Sequence, residues 1–238
     1  MDKLKKLKIS IYADGADFES IKLYNEDELI KGFTTNPSLM KSVGVTDYKN
    51  FAEKILSIVK SKPISFEVFS DDLIEIEKQA KEIASWGKNI NVKIPVTNTK
   101  GESCDLIIKK LNHSGVVCNV TAIFTINQIT KLIENFNPST KIILSIFAGR
   151  IADTGEDPVP LMKKAKEICK QNKNIKILWA STREIYNIFE AEKCNSDIIT
   201  VPYDLIKKLK YVGKDLDQFS LDTIKQFAKD SSVFNLKV

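Results

Sequence analysis

Short apolar runs rich in β-branched residues recur along the chain, at Leu7–Ala13, Gly32–Thr35, Ile64–Phe69, Ile90–Val96, Val116–Ile123, Lys141–Phe147, Ile175–Ala180 and Asp197–Val201. Between them, apolar positions return at helical spacing over Asp17–Asn25, Asp47–Lys60, Asp71–Trp86, Gly101–Asn112, Thr125–Phe136, Pro158–Gln171 and Thr182–Lys193. The first kind of run reads as a buried strand, the second as a helix laying one face on a core. Punctuation agrees in places. Thr125 and Gln128 have capping-box spacing, Gly87 follows Trp86 as a C-cap, and Pro158 and Pro160 open a helix. Past the eighth run come a helix at Tyr203–Lys210 and a last amphipathic one at Ser220–Lys229.

Strict alternation of strand and helix predicts a parallel sheet with crossover helices. Eight units in about 200 residues match a (β/α)8 TIM barrel in count and size. The alternative is an open doubly wound sheet, which would usually carry a glycine-rich phosphate loop after its first strand. Asp14-Gly-Ala-Asp17 is not such a loop. No linker or low-complexity tract divides the chain. Residues 1–238 therefore read as one α/β domain, a barrel over about 7–210 with a C-terminal helical extension over about 211–238.

Composition narrows the function. The 238 residues are 43% apolar and 28% charged, with a net charge of +5. The lysines are scattered along helical stretches without interleaved aromatics, which argues against nucleic acid and leaves a mild field suited to a phosphorylated metabolite. No stretch approaches the ~20 apolar residues of a membrane span, and Met1–Lys8 lacks an apolar signal-peptide core. Cys104, Cys118, Cys169 and Cys194 form no CxxC pair, so they read as free core thiols of a cytoplasmic protein. The one histidine, His113, reads as a helix C-terminus, which disfavours histidine metal sites and Ser-His-Asp triads. Chemistry is left to lysine, carboxylates, hydroxyls and arginine.

In a barrel, the C-terminal ends of the strands face the active site. Polar side chains collect there: Asp14 on strand one, Thr34-Thr-Asn36 on two, Glu67 on three, Lys93 on four, Asn119 and Thr121 on five. Ser145 and Phe147 follow on strand six with Arg150 beyond, and Ser181 and Arg183 close strand seven. Each has a plainer reading. Asp14 could cap a helix, Asn36-Pro37-Ser38 could simply begin one, and a strand lysine usually faces solvent. Glu67, between Phe66 and Val68, needs a partner. Lys93 in Val92-Lys-Ile-Pro-Val96 points away from Val92 and Ile94, and a sheet covered on both faces would desolvate it. A desolvated lysine beside carboxylates is a means of making an amine nucleophile for carbonyl chemistry.

Seven motifs in order across nearly the whole chain resemble the transaldolase family, in the short form that includes the fructose-6-phosphate aldolases. They are Gly32-Phe-Thr-Thr-Asn-Pro-Ser-Leu39, Ile64-Ser-Phe-Glu-Val68, Val92-Lys-Ile-Pro-Val-Thr97, Asn119-Val-Thr-Ala-Ile-Phe124, Ser145-Ile-Phe-Ala-Gly-Arg-Ile151, Ala180-Ser-Thr-Arg183 and Asp197-Ile-Ile-Thr-Val-Pro202. The resemblance implies a metal-free, cofactor-free class I mechanism of the pentose phosphate pathway type. Lys93 would form the Schiff base, Asp14 would be the acid/base, and Glu67 with Thr121 would hold the catalytic water. Asn36, Asn119 and Ser145 would bind the donor, and Arg150, Ser181 and Arg183 its phosphate. The resemblance also implies a homo-oligomer, frequently a decameric ring, joined through a C-terminal helix. Packing on its own barrel would give Ser220–Lys229 the same amphipathicity.

The aldolases carry glutamine where Glu67 stands and tyrosine where Phe147 stands, so the chain leans to the transferase. A lyase releasing dihydroxyacetone is the runner-up. Two readings from other classes are a catalytically silent sugar-phosphate-binding protein and a barrel isomerase that uses its carboxylates and leaves Lys93 as a charge. Asp17 competes with Asp14 for the acid/base role, and the segment Thr97–Ser103 is placed to reshape the acceptor side.

Overall fold

The computed structural model describes residues 2–134, 136–232 and 234. Eight strands, β1 (Ser10–Asp14), β2 (Ile30–Thr34), β3 (Ile64–Glu67), β4 (Ile90–Pro95), β5 (Cys118–Ile123), β6 (Ile142–Ile146), β7 (Ile175–Trp179) and β8 (Ile198–Pro202), pair in sequence order. All pairings are parallel, and β1 returns to β8 to close the barrel. The fold is the expected (β/α)8 barrel. The helices in chain order are α1 (Asp2–Lys5), α2 (Phe18–Asn25), α3 (Pro37–Ser42), α4 (Tyr48–Ile58), α5 (Leu73–Ser85), α6 (Asp105–His113), α7 (Ile126–Ile133), α8 (Ala148–Ala152), α9 (Pro158–Cys169), α10 (Tyr186–Lys193), α11 (Tyr203–Ile206) and α12 (Leu216–Ser231).

The helix starts follow local chemistry. Asp17, Asp47, Asp72, Asp157 and Asp215 each accept a first-turn backbone N–H, and Thr125 with Gln128 completes the capping box. Asp17 is thereby engaged as an exposed cap. Some boundaries move for identifiable reasons. β1 starts at Ser10 and not Leu7, because the N–H groups of Lys8 and Ile9 donate to the Glu192 carboxylate instead of to a strand. The stretch Thr97–Ser103 is a hairpin pinned by Asn98, which accepts from the N–H groups of Lys100 and Glu102, so α6 begins four residues later than Gly101. α10 begins at Tyr186 because the Asn187 amide oxygen takes the N–H groups of Arg183 and Glu184. The predicted end of α7 at Phe136 runs through Asn135, outside the described residues; the helix itself ends at Ile133.

Most of the core lies between sheet and helices, where the outward face of each strand meets the apolar stripe of its crossovers. The barrel axis is filled by a separate layer of Tyr12, Ile143, Leu178 and Ile198, with Ala180 above. Gly32 makes room for it, since a Cβ there would lie 2.6 Å from the Tyr12 ring. This layer divides the barrel into an upper mouth at the strand C-termini and a lower mouth at their N-termini. The four cysteines are buried free thiols, and burial pushes Cys118 up to about 12. Among the described residues no helix is long and apolar enough to cross a membrane.

α12 behaves unlike the other long helices. None of its residues is buried; Leu216 and Phe227 are 79% and 67% exposed, and Ile224 lies open beside them. The helix does not cover its own barrel, so that explanation of its amphipathicity fails. Residues 233 and 235–238 of the expected extension lie outside the described residues.

Candidate active site

Strand register builds the upper mouth. Glu67 pairs with Lys93 and Lys93 with Asn119 on three successive strands, which sets a carboxylate, an amine and an amide side by side. Lys93 is only 8% exposed. Its Nζ lies 3.0 Å from Glu67 Oε2 and donates to the Thr35 carbonyl at 3.1 Å. The neighbouring amide is locked. Ser145 Oγ donates to Asn119 Oδ1 at 2.6 Å, and Asn119 Nδ2 donates to Ser65 Oγ at 3.0 Å. Such a network fixes the orientation of each member.

Across the mouth, Thr34 Oγ1 donates to Asp14 Oδ1 at 2.7 Å, and the Thr34 hydroxyl also meets the Thr200 hydroxyl. Burial holds the Asp14 carboxyl above the ordinary carboxylate range, against the opposing pull of the Lys93 charge and the Thr34 hydrogen bond. Asn36 caps α3 by accepting from Leu39 N at 3.0 Å while its side chain lines the cleft. It is both the plain helix start and a wall of the site. At the top of β5 the pairing with β6 slips by one residue between Val120 and Ile123, and Ala122 takes φ 60°. This bulge sits beside Thr121, whose buried hydroxyl has no partner among the described residues.

The far rim is built from α8 and the loop after β7. Gly149 lets them meet: a Cβ there would sit 1.6 Å from the Ser181 carbonyl oxygen, and its N–H donates to Ala180 O at 3.3 Å. Arg150 lies over the Phe147 ring, 5.4 Å from its centroid, and Phe147 in turn meets Phe124 at 5.7 Å. Arg183 is engaged by Asp153, with Nε at 3.2 Å from Oδ1 and a second, shorter contact to Oδ2.

Ten of the eleven residues expected from the sequence line one cleft of about 170 Å³: Asp14, Asn36, Lys93, Asn119, Thr121, Ser145, Phe147, Arg150, Ser181 and Arg183. Glu67 does not line it, and reaches the site by contact with Lys93. The hairpin Thr97–Ser103 supplies no lining residue. Sequence reasoning counted Thr34 among the strand-end polar residues but gave no role to it, to Thr182 or to Thr200, all of which line the cleft, and it missed Asp153, which holds Arg183. Thr200 was reachable by the strand-end rule, since it faces the mouth from β8. Asp153 lies in a loop and carried no local signal.

An amine, a buried carboxyl and two arginines around the mouth of a closed parallel barrel are a set that can serve aldol chemistry. The chain belongs to the Transaldolase/Fructose-6-phosphate aldolase family, whose profile matches residues 11–237. A protein of Nitrosopumilus maritimus named "Probable transaldolase" is 35% identical over 204 residues, covering 84% of this chain and 87% of that one. One of the same name from Dehalococcoides mccartyi is 33% identical, covering 84% and 89%. In fold alone, the chain resembles the crystal structure of 2,3-dimethylmalate lyase, with a TM-score of 0.58 at 11% identity over 98% of this chain and 86% of that one.

Proposed function

We propose that the protein is a transaldolase that moves a dihydroxyacetone unit from a ketose phosphate, sedoheptulose 7-phosphate or fructose 6-phosphate, to an aldose phosphate. The contact that carries this reading is the buried Lys93 amine against Glu67 at 3.0 Å, in a mouth shared with Asp14. Glu67 is close enough to take the ammonium proton directly, which frees the amine lone pair to attack the donor ketone. Loss of water from the carbinolamine then gives an iminium on Lys93, and Thr121 and Glu67 would hold that water.

The iminium draws the electrons of the adjacent carbon–carbon bond as that bond breaks. Asp14 takes the proton from the hydroxyl on the departing carbon, a task its raised proton affinity suits. The aldose leaves and an enamine stays on the enzyme. The incoming aldehyde reacts with it, Asp14 returns the proton, and hydrolysis releases the new ketose. Asn36, Asn119 and Ser145 would hold the donor hydroxyls; Arg150, Ser181 and Arg183 would hold the phosphate. Phe147, packed between Phe124 and Arg150, offers the enamine no proton, which favours transfer over release of free dihydroxyacetone.

The reading treats the chain as one cytoplasmic, cofactor-free catalytic unit that assembles into a homo-oligomer through the uncovered apolar face of α12. The chemistry is tested by incubation with fructose 6-phosphate and borohydride, followed by peptide mass spectrometry. A reduced dihydroxyacetone adduct is expected on the Lys93 peptide. Lys93→Met should carry none and should lose at least about a thousandfold in turnover. Unmodified lysines with both ketose phosphates would overturn the Schiff-base route.

A further inference from the structure

The lower mouth of the barrel holds a second cavity, of about 410 Å³, which shares no lining residue with the catalytic cleft. The alternation that aims Ser145 upward puts Ile143 and then Lys141 on the same inner face of the sheet, below the Tyr12 layer. On the neighbouring strand, Lys176 stands directly across from Ile143 in register. Lys8 enters from the segment before β1. Three lysines therefore line one concavity.

The carboxylates that line it are already engaged. Glu192 accepts the N–H groups of Lys8 and Ile9 at 3.1 and 2.9 Å. Asp197 accepts Ile177 N–H at 2.9 Å and Lys166 Nζ at 2.5 Å, with Lys176 Nζ farther off at 3.6 Å. Among the described residues neither Lys8 nor Lys141 has a carboxylate within ion-pairing distance. Burial and then the Lys176 charge both depress the proton affinity of Lys141, and Asp197 offsets this only in part. Ser196, 6% exposed, lines the same cavity, and its buried hydroxyl has no partner among the described residues. Stability does not explain the arrangement, because adjacent like charges and an unsatisfied buried hydroxyl both cost free energy.

We infer that the lower cavity is a second binding site, which takes a phosphate group, as the free ion or a small monoester, between Lys141 and Lys176, with Lys8 and the Ser196 hydroxyl completing it. A dianion would balance the lysine excess and give the hydroxyl an acceptor. Because the ion would bind only the folded barrel, it would also stabilise it. The inference does not rest on the aldol reading.

The test is calorimetric titration with inorganic phosphate at constant ionic strength, on Arg150→Ala/Arg183→Ala protein so that the upper arginines contribute nothing. One saturable site is expected to remain. Adding Lys141→Gln or Lys176→Gln should weaken it about tenfold or more, whereas Lys141→Arg should keep it. Glycerol 3-phosphate in place of phosphate separates an ester site from a free-ion site, and tight binding of either supports the inference. With the arginines intact, Lys141→Gln should remove one of two binding events. A thermal melt controls for folding: without phosphate Lys141→Gln should melt at or above the parent, and the upward shift caused by phosphate should vanish. No saturable binding to the double-alanine protein, or binding untouched by Lys141→Gln, overturns the site.

Discussion

Two ion pairs in the upper mouth use the same chemistry in opposite settings. Lys93 and Glu67 have side chains 10% and 15% exposed, sit on paired strands, and owe their contact to sheet register. Arg183 and Asp153 are 49% and 51% exposed and owe theirs to the close approach of α8 and the loop after β7 that Gly149 allows. Water screens the second pair, so forming or breaking it costs little. The first is dry, and each partner depends on the other. On the proposed function the mouth would have a rigid pole where bonds change and a pliable pole that exchanges Asp153 for an incoming phosphate. Four experiments test the contrast.

The largest effect belongs to the rigid pole. Asp14→Asn should lower turnover by about 10²–10⁴-fold, the usual worth of a positioned acid/base. It should not prevent the Schiff base from forming. Borohydride should then trap the whole hexose phosphate on Lys93 instead of the three-carbon unit, a mass difference that separates this role from a structural one. Asp14 must be ionised to accept its proton, and burial raises its pKa. Activity should fall on the acid side with a midpoint above the ordinary carboxylate value. The stability sign runs the other way. A carboxyl whose folded pKa is raised stabilises the fold fully below its unfolded pKa, and that contribution is lost as pH rises through the folded pKa. Asp14→Asn should thus melt higher than wild type at neutral pH and converge with it in acid.

Next is the buried pair. Glu67→Gln leaves the Lys93 charge without its carboxylate and should cost about 3 kcal/mol in denaturant unfolding. Adding Lys93→Met should recover much of it, because both ends of the pair are then gone. Additive losses in that cycle would show that the two side chains act independently and that the pole is not rigid.

Gly149→Ala joins the poles. Its Cβ would fall inside the Ser181 carbonyl, so the loop after β7 must move, at about 1–3 kcal/mol of stability. Arg183 moves with it, and KM for a phosphorylated ketose should rise more than kcat falls. An unchanged KM would detach Ser181 and Arg183 from phosphate binding.

How much of this was legible in the sequence follows the same division. Lys93, Glu67, Asn119 and Thr121 were readable because strand periodicity of two fixes which side chains share a face, and parallel register then aligns them. The barrel was readable for the same reason. Boundaries failed where side chains took over backbone partners, as Glu192 does before β1 and Asn187 does before α10. Direct contact between Glu67 and Lys93 was not anticipated, because a strand pattern states facing and not reach. Asp153 could not be found at all, since its contact with Arg183 runs from the end of α8 to the loop after β7, whose approach depends on a missing Cβ at Gly149.

That illegible contact supplies the smallest and most discriminating prediction. Asp153→Asn removes the charge that occupies Arg183 without altering the loop. The pair is half open to water, so the melting temperature should stay within experimental scatter. If the guanidinium must leave Asp153 to meet a phosphate, the substitution removes a competitor, and KM for a phosphorylated ketose should fall a few-fold while kcat holds. The effect should shrink as salt is raised, because salt already screens the exposed pair in wild type. A rise in KM would mean the reverse: that Asp153 holds Arg183 in its binding pose, and that the loops form a second preorganised pole instead of a pliable one.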